Sequence, residues 1–226
     1  MSRATCVLLT CEREDIGDAT VAFVRQHFDL RWMARYADDV ICYTPDELTE
    51  LVAAERIDYL FGFLSPAIVP KEVLDHVGTA INFHPAPPRW PGIGGSCYAL
   101  YHGDDTFGVT AHIMEPRVDT GLILRVDSFP ILPDDSQISL CERVLYRCLN
   151  QFYEVLSELI LRGKAEPSGH QWERKPLTWK QLSQWLTLSD TDTAEEVARK
   201  IRSSEHPSYP DATVVIHGHR FVYQRE

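Results

Sequence analysis

TAINFHPAPPRWPGIGG, residues Thr79 to Gly95, is an apolar strand that runs straight into a loop holding four prolines and three glycines. Side chains two apart in a strand share a face, so Asn82 and His84 point the same way at the strand's carboxyl end. The run belongs to a series. ATCVLL (4–9) and DYLFGFL (58–64) are continuous apolar runs of the kind buried on both faces of a parallel sheet. The glycine in the second marks a place where another group comes close to the backbone. DATVAFVRQHF (18–28) and PDELTELVAAER (45–56) carry the apolar spacing of helices, and DLRWMARY (29–36) reads as a further strand. Strands alternating with helices predict an α/β fold: a Rossmann-like, mostly parallel twisted sheet with helices on both faces. Ligands of such sheets sit beyond the carboxyl ends of the strands, which is where FLSP and NFHP lie.

Further along, GVTAHIME (108–115) and GLILRVDSFPI (121–131) are strand-like and are separated by PRVDT. A long helix is expected from near Ser136, with apolar residues at helical spacing up to Gly163. The polar, proline-containing stretch KAEPSGHQWERKPLT (164–178) marks a boundary, giving a main domain over 1–165 and a small extension over 166–226. In the extension, WKQLSQWL reads as a helix and Thr193 to Glu196 as a capping box opening another. ATVVIHG and HRFVYQ read as a β-hairpin turning near His217–His219.

The chain of 226 residues carries a formal net charge of −11. That charge disfavours a nucleic-acid partner, because neutralising phosphates takes a broad basic surface. No stretch approaches the ~20 apolar residues of a membrane span, and MSRATCVLLT lacks the apolar core of a secretion signal. The six cysteines form no CxxC pair, so they read as reduced packing residues of a cytoplasmic protein.

The chemistry concentrates on three residues. Asp119 lies in the short loop between two strands, and the Gly121 that follows permits a tight turn aiming the carboxylate inward. A carboxylate holding an imidazole fixes its tautomer and raises its proton affinity, and an amide beside them can donate to a developing oxyanion. No GxSxG elbow supplies a nucleophile. Asn82, His84 and Asp119 therefore suit a reaction whose nucleophile is an amine of the substrate. The bland alternative makes Asn82 a turn cap, His84 a satisfied buried histidine and Asp119 a loop residue. His112, on one face with Thr110 and Met114, reads as a structural histidine. A zinc site from His84, His112 and Asp119 is allowed by residue type but disfavoured by the loop, so no metal is expected.

INFHPAPPRWPGIGGSCYALYHGDDTFGVTAHIMEPRVDTGLIL (81–124) resembles the catalytic core of the folate-dependent formyltransferases: N-x-H-P before a Pro/Gly loop, then G-V-T-x-H, then D-T-G. The resemblance covers roughly residues 4–165. It places the family's catalytic set on Asn82, His84 and Asp119 and implies 10-formyltetrahydrofolate as donor. The tail ARKIRSSEHPSYPDATVVIHGHRFVY is similar to a segment that follows the catalytic domain in methionyl-tRNA and sugar formyltransferases. The short, acidic extension is unlike the basic barrel of the methionyl-tRNA enzymes, and LLTCERED lacks the glycine-rich phosphate loop of the glycinamide ribonucleotide enzymes. The sugar N-formyltransferases remain, which implies a nucleotide-linked acceptor of dTDP-4-amino-4,6-dideoxyhexose type for surface polysaccharide such as lipopolysaccharide O-antigen. Another amine acceptor, or a folate or nucleotide-sugar binding module without catalysis, stays open.

For the donor's pterin, the expected walls are Phe63, Leu64 and Ser65 on one side and Met114, Pro116 and Val118 on the other. For the acceptor, Arg13 sits in the loop after the first strand, where nucleotide phosphates bind in such folds. Arg89 and Trp90 sit in the proline loop, and Gly94 and Gly95 open a short helix whose N–H groups favour an anion. Tyr98 and Tyr101 offer stacking surfaces. The exposed edge of the terminal hairpin suggests a homodimer.

Overall fold

The first strand, β1 (Thr5–Cys11), is buried from Cys6 onward, because it runs through the middle of a sheet with both faces covered. The computed structural model describes residues 3–37, 42–206 and 211–224. After β1 come α1 (Glu14–His27), β2 (Asp29–Tyr36), β3 (Cys42–Tyr43), α2 (Asp46–Ala54), β4 (Ile57–Phe63), β5 (Ala67–Ile68), α3 (Lys71–Leu74) and β6 (Val77–His84). Then follow α4 (Gly95–His102), β7 (Thr106–Ile113), β8 (Ile123–Pro130), α5 (Gln137–Arg162), α6 (Trp179–Trp185), β9 (Thr187–Leu188), α7 (Ala194–Ser204), β10 (Thr213–Ile216) and β11 (His219–Val222). The main sheet has the order β2-β1-β4-β6-β7-β8. Its first three pairings are parallel and the last two antiparallel, so the mostly parallel α/β sheet expected from the sequence is what forms.

Two cores flank the sheet. On one face, Phe61, Phe63 and Phe83 surround Phe152 of α5 at centroid distances of 6.3, 5.2 and 4.9 Å. On the other, Val7, Leu9, Leu60 and Ala80 pack with Leu48 and Val52 of α2. Helix α5 begins where expected, capped by Ser136 in reciprocal hydrogen bonds with Ser139, and ends at Gly163 with φ 75°. Helix α1 starts earlier than its apolar spacing suggests. Gly17 must pass so close to β1 that a Cβ would lie 2.6 Å from the Cys11 carbonyl oxygen, which fixes the first turn there.

The C-terminal elements do not stand apart. Leu182 and Leu186 are fully buried in the same core as α4 and α5. The polar stretch 164–178 is a strap: Ser168 N–H donates to the Ile123 carbonyl, Glu173 N–H to Pro88, and Leu177 pairs with the loop through Pro91 and Ile93. Proline-rich segments carry no strand periodicity, so the sequence marks this as a boundary while its backbone hydrogen bonds tie it to the loop after β6. The hairpin β10–β11 turns through His217 and Gly218, both at positive φ, and joins β9. The Tyr209–Pro210 part of the tail similarity lies outside the described residues.

Candidate active site

Strand pairing sets the site. In the antiparallel ladder of β6 and β7, Asn82 faces His112 and His84 faces Thr110. Residues directly opposite each other project from the same side, so Asn82, His84, Thr110 and His112 form one polar patch. On the neighbouring strand β4, Gly62 lies beside Asn82, and a Cβ there would sit 2.5 Å from Met114 Cε and 3.0 Å from Asn82 Oδ1. The glycine in DYLFGFL leaves the room that the amide and Met114 occupy.

Asp119 closes the patch from above. Its Oδ2 accepts the Gly92 N–H at 2.7 Å and lies 3.3 Å from His84 Nδ1. Its Oδ1 lies 3.1 Å from His112 Nε2. One carboxylate thus binds the proline loop and faces two imidazoles. Asp119 is also the residue at positive φ, 46°, in a loop where the sequence reading assigns the turn to Gly121. Gly121 has another reason to be glycine: a Cβ would fall 1.9 Å from the Ile113 carbonyl oxygen. Leu64, at the carboxyl end of β4, is likewise at positive φ, 49°. Left-handed backbone on two such side chains costs of order 1 kcal/mol each and is held by its surroundings.

The electrostatics follow from burial. His84 and Asp119 are 6% and 4% exposed. Burial lowers the pKa of His84 and outweighs the pull of Asp119 and the Trp90 carbonyl. Burial raises Asp119, but His84, His112 and the Gly92 N–H prevail and hold it at about 2. His84 Nε2 lies 3.1 Å from the Trp90 carbonyl, so it is the protonated nitrogen of the neutral ring. His112 Nδ1 lies 2.8 Å from the Ile113 carbonyl and must carry a proton too. Its Nε2 has two neighbours, Asp119 Oδ1 and the Asn82 amide nitrogen at 3.2 Å. An unprotonated Nε2 accepts from Asn82; a protonated one donates to Asp119.

His112 therefore belongs to the cluster, not merely to the strand's structure as its sequence context suggests. Trp172, in the stretch that the sequence marks as a boundary, also belongs to the site. It donates its indole N–H to the Gly121 carbonyl at 2.8 Å and lies edge-on to His112 and His84, centroids 5.1 and 5.9 Å away. A tryptophan in a polar, proline-containing stretch was the one signal available.

The remaining expected residues divide. Phe63 is fully buried against Phe83 and Phe152, so its ring lines no ligand wall. Ser65 accepts from Ala67 N–H in a local turn. Met114 is half-buried, while Pro116 and Val118 are exposed beside exposed Leu122, forming an apolar rim next to Asp119. Trp90 is 1% exposed and donates to Asp104, since the proline loop folds inward and buries its indole instead of presenting it. Tyr98 is buried against Trp90 and Trp185. Tyr101 is half-buried. Arg13 is clamped by Asp15 and Glu142. Gly94 (φ 80°) and Gly95 open α4, but a Cβ on them would strike Leu182 and Ala86, so packing accounts for both. Among the described residues no group of His, Cys, Asp and Glu has the arrangement of metal ligands, and no helix is long and apolar enough to cross a membrane.

The formyl transferase family model matches residues 8–156. Methionyl-tRNA formyltransferase of Herminiimonas arsenicoxydans is 28% identical over 86% of this chain and 60% of its own. The chain spans three fifths or less of the length of the curated relatives it matches at this level. The solved sugar N-formyltransferase from a Shewanella species superimposes with TM-score 0.75 at 16% identity, covering 98% of this chain and 97% of that one. An N-formyltransferase from Helicobacter canadensis, solved in complex with folinic acid and dTDP-3-aminofucose, gives TM-score 0.70 at 17% identity, covering 96% and 85%.

Proposed function

The chain belongs to the formyl transferase family, and on that premise we propose that it moves a formyl group from 10-formyltetrahydrofolate to the amine of a nucleotide-linked amino-deoxysugar, of dTDP-4-amino-4,6-dideoxyhexose type. The observation that carries the reading is the cluster of Asn82, His84, His112 and Asp119 at the carboxyl end of β6, with no side-chain nucleophile among them. The acceptor assignment draws support from overlap along nearly the whole of both chains with a sugar N-formyltransferase, C-terminal helices and hairpin included.

In this reading the substrate's neutral amine attacks the formyl carbon, the donor's bond from that carbon to N10 breaks, and the proton given up by the amine passes through an imidazole to N10 of the departing tetrahydrofolate. A formyl oxygen that displaces the Trp90 carbonyl from His84 Nε2–H receives the same proton donor. The Asn82 amide is the second donor. Proton uptake at His112 Nε2 turns that nitrogen toward Asp119 and releases the Asn82 N–H to the oxyanion. Asp119, ionised throughout the neutral range, stabilises whichever imidazole takes up the amine's proton. The exposed rim of Pro116, Val118 and Leu122 is the wall offered to the donor's ring.

The test is turnover of 10-formyltetrahydrofolate with dTDP-4-amino-4,6-dideoxyhexoses. Asn82→Ala, His84→Ala and Asp119→Ala are each expected to fold and to lose ~100- to 1,000-fold in kcat, the usual cost of one oxyanion donor or its orienting group. Near-wild-type turnover in His84→Ala would refute the mechanism. Binding of folinic acid and dTDP-sugar without transfer to any amine would leave a binding module instead. The sequence relatives favour a second acceptor, methionyl-tRNA; transfer to it and not to the amino sugar would decide for that reading.

A further inference from the structure

Around Trp90, Tyr101 and His102, three guanidinium groups gather. Arg174 of the strap lies over the Trp90 ring, 4.0 Å from its centroid, and Arg89 lies 5.4 Å from it. Arg199 of α7 lies 4.8 Å from the centroid of the Tyr101 ring. His102, at the end of α4, stacks on Trp90 at 5.5 Å and meets Tyr101 edge-on at 5.2 Å, joining the two halves. Arg89, Arg174, Arg199 and His102 are all exposed. The acid in their midst is Asp104, which pairs with Arg89 at 3.3 Å and accepts the Trp90 indole N–H. Among the described residues, neither Arg174 nor Arg199 forms an ion pair.

Three guanidinium charges face two carboxylates, Asp104 paired with Arg89 and Glu196 near Arg199 on α7, which leaves a local positive excess in a chain of net charge −11. His102 responds to it: burial lowers its pKa first, Asp104 opposes, and Arg174, Arg89 and Arg199 lower it further. Planar guanidiniums held flat on aromatic rings are fixed in position with their N–H edges free, which is how arginine binds phosphate oxygens in pairs. The place is coupled to the chemistry through the backbone. Trp90 offers its ring to Arg174 and its carbonyl to His84, and two residues before Arg174 the strap lays Trp172 on His84 and His112.

We infer that Arg89, Arg174 and Arg199 form the subsite for the phosphates of a nucleoside diphosphate, so that the acceptor is held by its diphosphate at one end of the Trp90–strap unit and its amine reaches the imidazoles at the other. This rests on the reading of the acceptor as a nucleotide-linked sugar. A small excess of charge in an acidic chain suits one diphosphate and not the backbone of a long polyanion.

The probe is dTDP, which has no amine and cannot be formylated, titrated calorimetrically against the full chain. Arg174→Gln and Arg199→Gln are each expected to weaken its binding about tenfold, and the double variant about a hundredfold. The binding constant of the double variant should also fall less steeply with added salt. Folinic acid binding and the unliganded Tm should stay at wild-type values. Arg174→Lys, which keeps the charge but loses the paired N–H edge, should bind with an affinity between those of the wild type and Arg174→Gln. Equal dTDP affinity in wild type and double variant overturns the inference. So does loss in Arg174→Lys as deep as in Arg174→Gln, which would make the guanidinium a packing group for Trp90. So does methionyl-tRNA binding that depends on these arginines while dTDP fails to bind. Turnover of 10-formyltetrahydrofolate by the wild-type chain is measured separately, so the proposed reaction can stand where this subsite falls.

Discussion

Asp119 binds the Gly92 N–H and faces His84 and His112 from a left-handed backbone. Its stability contribution has a definite sign. The unfolded group titrates near 3.8 and the folded one near 2, so the contribution is complete above pH 4 and is lost as pH falls from about 4 to 2. The shift corresponds to about 2 kcal/mol. His84 adds to the acid loss from higher pH: its folded pKa lies below 6.5, so below that pH the unfolded chain takes a proton that the folded chain refuses. Urea titrations between pH 7 and 2 should show wild-type stability falling in both windows, with the loss in the lower one reduced in Asp119→Asn, where Asp15 and the other carboxylates of lowered pKa keep their share. Trp172 is the second residue to test. It covers both imidazoles, so Trp172→Ala should let water back and move the His84 pKa upward, read from the ring proton resonances. An unmoved titration would show that the indole contributes nothing to the burial of the site.

At the scale of elements, the loop between β7 and β8 is built around a missing side chain. Gly121→Ala would drive a Cβ into the Ile113 carbonyl, pushing the loop that carries Asp119 away from the strand that carries His112. The expected loss is about 3 kcal/mol with activity falling alongside, measured by denaturant melts and by turnover. Helix α5 has a milder dependence. Ser136→Ala removes one side of the reciprocal cap with Ser139 and should cost about 1 kcal/mol with the site intact. These helices and strands were legible in the sequence because their period is local: the capping box at Thr193, the Gly163 stop and the apolar runs of β1 and β4 all lie within a few residues of what they specify. The two-residue strands β3, β5 and β9 are too short to carry a period.

The molecule as a whole has its C-terminal extension fastened to the main sheet by the strap and by Leu182 and Leu186. Leu182→Ala should therefore destabilise the chain by about 3 kcal/mol in a single cooperative transition, followed by circular dichroism and tryptophan fluorescence together. Two separated transitions would show that the extension folds on its own. Alternating elements and apolar runs are enough to give the doubly wound pattern and the carboxyl-end location of Asn82 and His84, because both are properties of neighbouring residues. The sequence's resemblance to a known family supplied Asp119's place beside them. Only the tertiary structure brought His112 to Asn82 across 30 residues of chain, laid Trp172 over both imidazoles, turned Trp90 inward and gathered Arg174 and Arg199 around it. Those contacts join segments distant along the chain. Strand register and the path of an aperiodic strap set them, and neither leaves a local signature in composition or spacing.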